Sequence, residues 1–258
     1  MSRTLAGLLA GLAGAMVGSF LNVVVYRVPR RLSIVSPPSA CPSCGVQLKP
    51  WDNVPILSFL ILRGRCRNCR ARISFRYPLV EAGTAGLGVA SVARFGGGEA
   101  AAFVAAGGAV LLVIALIDLD VRRVPNVIVL PATAAAALWI GILSTVKRDW
   151  TILTKSYGAS AAAFGLFFVI AIVSAGMGMG DVKLAAFIGL YAGRFGWEVS
   201  ALALFMAFVL GGVAAVAFLV TRRGGRKDAL PFAPALAAGG LAAVFWGAAP
   251  VRAWLNLP

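Results

Sequence analysis

The chain is 258 residues long, 60% apolar and 13% charged, with a mean hydropathy of +0.90, so lipid rather than water must solvate most of it. Its 24 Lys and Arg outnumber 9 Asp and Glu, for a net charge of +15, but long apolar runs separate the basic residues, which points to a membrane-surface bias and away from a nucleic-acid reader. Histidine is absent, which excludes Ser-His-Asp and Cys-His catalysis and every His-ligated metal centre, and leaves acid–base chemistry to carboxylates, lysines and tyrosines.

The first apolar segment, 4–26, carries Gly7, Gly11, Gly14 and Gly18 at spacings that permit close helix packing, although glycine is frequent throughout. A cleaved signal peptide would use Arg3 and the small residues Ala13-Gly14-Ala15. The run instead continues unbroken to Tyr26 and meets a cluster of arginines, which suits a retained span. Residues 27–77 form the one long polar stretch. Apolar segments follow at 78–94, 100–117, 126–144, 157–175, 181–193, 199–220 and 230–251, making about eight. The second and sixth are short for a perpendicular span and are expected to be tilted, enclosed by protein or broken. The expectation is an all-α polytopic membrane protein of about eight transmembrane helices: a first span at 1–26, a small module at 27–77 and a bundle at 78–258.

On alternate sides of these spans the basic residues divide 17 to 7. The richer side holds the 27–77 module, Arg122, Arg123, Lys183, and Arg222, Arg223, Arg226 and Lys227, which makes it cytoplasmic. The joints 118–126 and 176–183 fall on that side too. Lys147, Arg148 and Lys155, in the joint read at 144–156, run against this orientation.

Cys41-Pro-Ser-Cys44 and Cys66-Arg-Asn-Cys69 are 21 residues apart, close to the spacing of a four-thiolate zinc site built from two facing turns. Such a site leaves no open ligand position, so the zinc would be structural and would staple a module too small to bury a core. Two disulfides or a redox-active pair are the alternatives, and a cytoplasmic location disfavours the first.

The carboxylates are few. Asp52, Glu99, Asp149, Glu198 and Asp228 lie in polar joints and read as solvated charges. Glu81, in Pro78-Leu-Val-Glu81 at the mouth of an apolar segment, needs a partner or a function, Arg76 and a basic substrate being the two candidates. Asp118 and Asp120 close one apolar run, while Asp181 follows Gly176-Met-Gly178-Met-Gly180, whose glycines permit close backbone approach. Two carboxylates brought together in a dry site share a proton and can serve as general base and general acid on one water. That arrangement hydrolyses a peptide without histidine or metal. Ion pairing of Asp118 and Asp181 with Arg122 or Lys183 is the structural alternative.

Asp118-Leu-Asp-Val-Arg-Arg-Val-Pro125-Asn126, followed by Gly178-Met-Gly180-Asp181-Val-Lys183-Leu, resembles the two active-site motifs of the type IV prepilin peptidases, membrane aspartic proteases of the GxGD class. The resemblance extends to Gly18-Ser-Phe-Leu-Asn22-Val-Val-Val-Tyr-Arg27-Val-Pro29, both Cys-x-x-Cys pairs, Asn53-Val-Pro55, Pro78-Leu-Val-Glu81 and Pro231-Phe-Ala-Pro234, in family order over nearly the whole chain. It implies Asp118 and Asp181 as the catalytic pair and Asp120 as a non-catalytic neighbour, with Pro125, Asn126, Gly178, Gly180 and Lys183 in the active-site loops. Asn126 stands where many members have aspartate. The implied activity is cleavage of the basic leader of prepilins or pseudopilins of type IV pilus or type II secretion systems at the cytoplasmic face of the inner membrane. N-methylation from S-adenosylmethionine would follow. No glycine-rich strand–turn–helix nucleotide signature is present, so methylation is implied by the resemblance alone. Within this reading Glu81, and after it Asp52, are the candidates for contacting the leader. The expected partners are prepilins and the lipid bilayer, with no nucleic acid. An ion-coupled transporter or channel using Asp118, Asp181 and Glu81, and a non-catalytic scaffold of a pilus or secretion assembly, are the rival readings.

Overall fold

A computed structural model of the chain describes residues 2–174, 177–221 and 231–247. Among these residues there is no β-strand. The helices are α1 (Arg3–Arg27), α2 (Leu57–Ile61), α3 (Arg76–Phe95), α4 (Glu99–Val121), α5 (Asn126–Lys147), α6 (Trp150–Ser174), α7 (Met179–Gly193), α8 (Trp197–Val220) and α9 (Ala233–Ala242), the last continued by a wider turn at Ala243–Gly247. In its described residues, each apolar segment of the sequence overlaps a helix. Among the described residues, five helical stretches are long and apolar enough to cross a membrane: Arg3–Arg30, and α4, α5, α6 and α8. Gly176, Arg222, Arg223, Arg226, Lys227, Asp228 and Arg252, and the end of the last apolar segment, lie outside the described residues.

One compact unit spans Met1–Ala109. In it α1 packs along α3, and small residues set how closely the two helices approach. A methyl group on Gly14 would meet the Thr84 carbonyl, one on Gly18 the Thr84 hydroxyl, and one on Gly88 the Ala10 carbonyl. A methyl group on Gly11 would lie 3.0 Å from Val89 Cγ2, whereas one on Gly7 would meet no other helix within 4 Å. The glycine spacing of α1 is therefore a packing signal from Gly11 to Gly18 and not at Gly7. Between α1 and α3 the chain is largely irregular, with isolated bridges pairing Ala40 with Gln47 and Arg65 with Arg72.

The second unit spans Val110–Pro258. Here α7 is short because protein, not lipid, surrounds it: Val182, Leu184, Ala185, Ile188, Tyr191 and Ala192 are fully buried. Gly189 and Gly193 admit the backbone of α6 at Ala159 and Ser156, and Ser160 donates to the Ala186 carbonyl at 2.9 Å. The joint expected at 144–156 is only Arg148 and Asp149. Arg148 turns the chain in the left-handed region (φ 52°), and Asp149 Oδ1 accepts from the Thr151 amide at 3.0 Å and its hydroxyl at 2.6 Å, capping α6. Lys147 and Lys155 are thus helical residues. Hydropathy placed the start of α6 at 157 because its first turns are polar, whereas the cap starts it at Trp150.

Candidate active site

Asp118 lies on the last turn of α4 and is 5% exposed. Asp181 lies on the first turn of α7, its amide donating to the Gly178 carbonyl at 3.0 Å. Two contacts join the loops that carry them. Gly180 sits against the exit turn of α4, and a Cβ there would lie 2.8 Å from Val124 Cβ. Lys183 Nζ donates to Asn126 Oδ1, at the start of α5, at 2.9 Å. Pro125 caps α5 in extended conformation, its carbonyl accepting from Ile128 and Val129 and so turning the chain into the helix. These contacts bring Asp181 within electrostatic reach of Asp118. Asp120, two residues further along α4 and so on another face, is exposed.

The ion-pair alternative is not what holds these groups. Asp118 Oδ2 accepts a main-chain hydrogen bond from Ala233 at 3.0 Å, and Lys183 is turned to the neutral amide of Asn126. Asp118 is buried and Asp181 half-buried, in a chain without histidine.

Residues 12–95 match the model of the bacterial peptidase A24 N-terminal domain, and residues 105–216 match that of the type IV leader peptidase family. Relatives named prepilin leader peptidase/N-methyltransferase include proteins of Pseudomonas putida (37% identical, covering 93% of this chain and 90% of the relative), Pseudomonas aeruginosa (33%, 95% and 92%) and Bacillus subtilis (36%, 95% and 96%). The chain belongs to the type IV leader peptidase family. No solved structure matches it.

In this family member the cysteines form two similar turns. The Cys41 amide donates to Val46 and the Gly45 amide to the Cys41 carbonyl; likewise the Cys66 amide donates to Ala71 and the Arg70 amide to the Cys66 carbonyl. Gly45 and Arg70 occupy the left-handed position of each turn, φ 71° and 60°. The four sulfurs lie within 4.8 Å of one another, with Cys41 Sγ and Cys69 Sγ at 3.8 Å. A tetrahedron with metal–sulfur bonds near 2.3 Å has edges of about 3.8 Å, so the cluster fits a thiolate-bound metal. Main-chain amides of Cys44 and Ser43 lower the pKa of the Cys41 thiol, and the Val46 amide with the Asn68 side chain lowers that of Cys44. Against the Ala71 amide, burial and the neighbouring thiols push Cys69 up to about 11, as expected when four thiols crowd together. The Asp52 carboxylate is forked by Arg67, with Nη2 to Oδ1 at 2.6 Å and Nε to Oδ1 at 2.9 Å, which ties the turn before α2 to the second Cys-x-x-Cys.

Glu81 is 8% exposed, and its Oε2 accepts from the Ile56 amide at 2.7 Å; this, and not Arg76, is the partner the structure gives it. Ile56 has φ 62° and ψ −50°, and the Leu57 amide reaches back to the Pro55 carbonyl at 2.6 Å. That is a strained three-residue turn, rare for a β-branched residue. Sequence reasoning did not reach Ile56 or Ala233, because each acts through its main-chain amide.

Proposed function

We propose that this protein is a multi-pass inner-membrane aspartic endopeptidase that cleaves the basic leader of type IV prepilins or pseudopilins and then methylates the new amino terminus. The observation that carries the peptidase reading is the Gly180–Val124 contact, which joins the loops that carry Asp118 and Asp181, in a chain without histidine. Family membership and the names of the relatives support both activities, and they favour an enzyme over a transporter or a scaffold.

The dyad works with one shared proton. The ionised carboxylate takes a proton from water as the water oxygen bonds to the scissile carbonyl carbon, and the protonated one gives its proton to the carbonyl oxygen. The first then passes its proton to the leaving nitrogen as the C–N bond breaks, and the diol returns a proton to the second. The pair ends as it began. S-adenosylmethionine is the methyl donor this reading calls for.

The cysteine cluster is read as a structural zinc site held by Cys41, Cys44, Cys66 and Cys69, which would supply cross-linking rather than chemistry, because four protein ligands leave no position for water. The first span at 1–26, the stapled module at 27–77 and the peptidase bundle at 78–258 follow from that reading. We count α3, α7 and α9 with its continuation beside the five long apolar stretches as the eight membrane segments. The 17-to-7 division of basic residues supports a cytoplasmic module and dyad. Glu81 is the first candidate for contacting the leader, through the carboxylate oxygen that Ile56 does not use.

The test is co-expression with a prepilin and mass spectrometry of the product. Wild type should yield a shortened, methylated pilin. Asp118→Asn and Asp181→Asn should leave the leader attached in protein that still accumulates in the membrane.

A further inference from the structure

Asp118 is held by a group 115 residues away in the chain. Ala233 is the first residue of α9, with Pro234 behind it, and is fully buried. The first amides of a helix have no acceptor within it, and they form its positive end. Here one of them is aimed at Asp118 Oδ2 at 3.0 Å. Phe232, just ahead, seats the helix start against Phe167 and Phe208, with ring centroids 6.4 and 5.9 Å away. Gly211 makes room for that ring, since a Cβ there would lie 2.5 Å from Phe232 Cε2.

We propose that the start of α9 is a third part of the peptidase site, in which the Ala233 amide is a positioning group for Asp118. The inference rests on Asp118 being one of the dyad. An amide hydrogen only donates, so the oxygen it faces acts as an acceptor and is the less favourable seat for a proton. The proton the pair shares is therefore biased toward Asp118 Oδ1 and Asp181, and the bond orients the Asp118 carboxylate with Oδ1 left to address the water. The apolar residues Pro231-Phe-Ala-Pro234 thereby acquire a polar role, because the working group is main chain.

Ala233→Pro deletes the donor at a helix position where proline is otherwise accepted. With full-length enzyme in detergent and a purified prepilin, kcat for cleavage should fall on the order of 10²-fold with KM unchanged. Methylation of an already shortened pilin should persist. Ala233→Gly keeps the amide and should lose less than about threefold. Full kcat in Ala233→Pro, or an equal fall in Ala233→Gly, overturns the proposal. Because Phe232 is helical (φ −96°, ψ −25°), a following proline strains it. If Ala233→Pro loses methylation too, Phe232→Ala decides: it should lower kcat about tenfold by unseating the helix start, with Phe232→Leu recovering most of it. Undiminished kcat in Phe232→Ala then overturns the proposal. Asp118→Asn separates the two levels. Normal cleavage there removes the dyad reading itself, whereas an inactive Asp118→Asn beside a fully active Ala233→Pro removes only the role of α9.

Discussion

Gly180→Ala should cripple cleavage while leaving the helices intact. Its new Cβ would stand 2.8 Å from Val124 Cβ, 3.4 Å from Val124 Cγ2 and 3.6 Å from Val124 Cα. Ordinary carbon–carbon contact is near 3.8 Å, so the first turn of α7 and the exit turn of α4 must separate by about 1 Å. Neither side gives easily, since Val124 is branched at the clashing atom and precedes Pro125. A misplacement of that size between two reacting groups costs about 10²-fold in rate, roughly 2.7 kcal/mol of barrier. The helix itself gains, because alanine is about 1 kcal/mol better than glycine inside it. The signature is therefore lower kcat without lower thermal stability. The assay is initial-rate cleavage of a prepilin in detergent, with methylation of a shortened pilin and a melting curve on the same preparation. Val124→Gly removes the clashing carbon, so the double variant Gly180→Ala with Val124→Gly should regain more activity than the two single losses combined would allow. Wild-type kcat in Gly180→Ala, or a double variant that is only additively worse, refutes the idea that this contact sets the distance between the aspartates.

Asp120→Asn, on an exposed turn, should retain most cleavage activity where Asp118→Asn and Asp181→Asn retain none, as read by the electrophoretic shift of co-expressed prepilin. Cys41→Ser with Cys44→Ser should remove about one equivalent of zinc by metal analysis and open residues 27–77 to protease, and acidification should release zinc from wild type as the thiolates take up protons. Glu81→Ala should cost about 1–3 kcal/mol of stability by leaving the Ile56 amide without its charged acceptor. If Glu81 also meets the leader, neutralising the leader's lysines and arginines should slow cleavage more in wild type than in Glu81→Gln; equal slowing assigns Glu81 to the turn alone.

The helices were largely legible because their apolar runs are long, and Asp118 and Asp181 could be singled out as candidates because carboxylates at the ends of apolar segments are rare enough to be weighed one at a time. Hydropathy missed the true start of α6 at Trp150, where an Asp149 cap and not apolarity begins the helix. It could not say that α7 is short because it is enclosed. The cysteine spacing foretold the paired turns. What stayed hidden were contacts made by main-chain amides: the Ala233 amide on Asp118 and the Ile56 amide on Glu81 depend on where a helix begins or a turn bends, and any residue but proline offers the same donor.

The turn at Ile56 makes Glu81 more than a local acceptor. A β-branched residue at φ 62° is poorly suited to its own backbone, and the bond to the buried carboxylate helps keep it there. Once that bond is lost, the natural relaxation is for Ile56 to leave the left-handed region, carrying Asn53, Val54 and Pro55 with it and shifting the entry to α2. The segment is thus latched to α3 by a conformation that its own sequence resists. Glycine at 56 would relieve that resistance, so that the shape of the turn no longer hung on a single carboxylate.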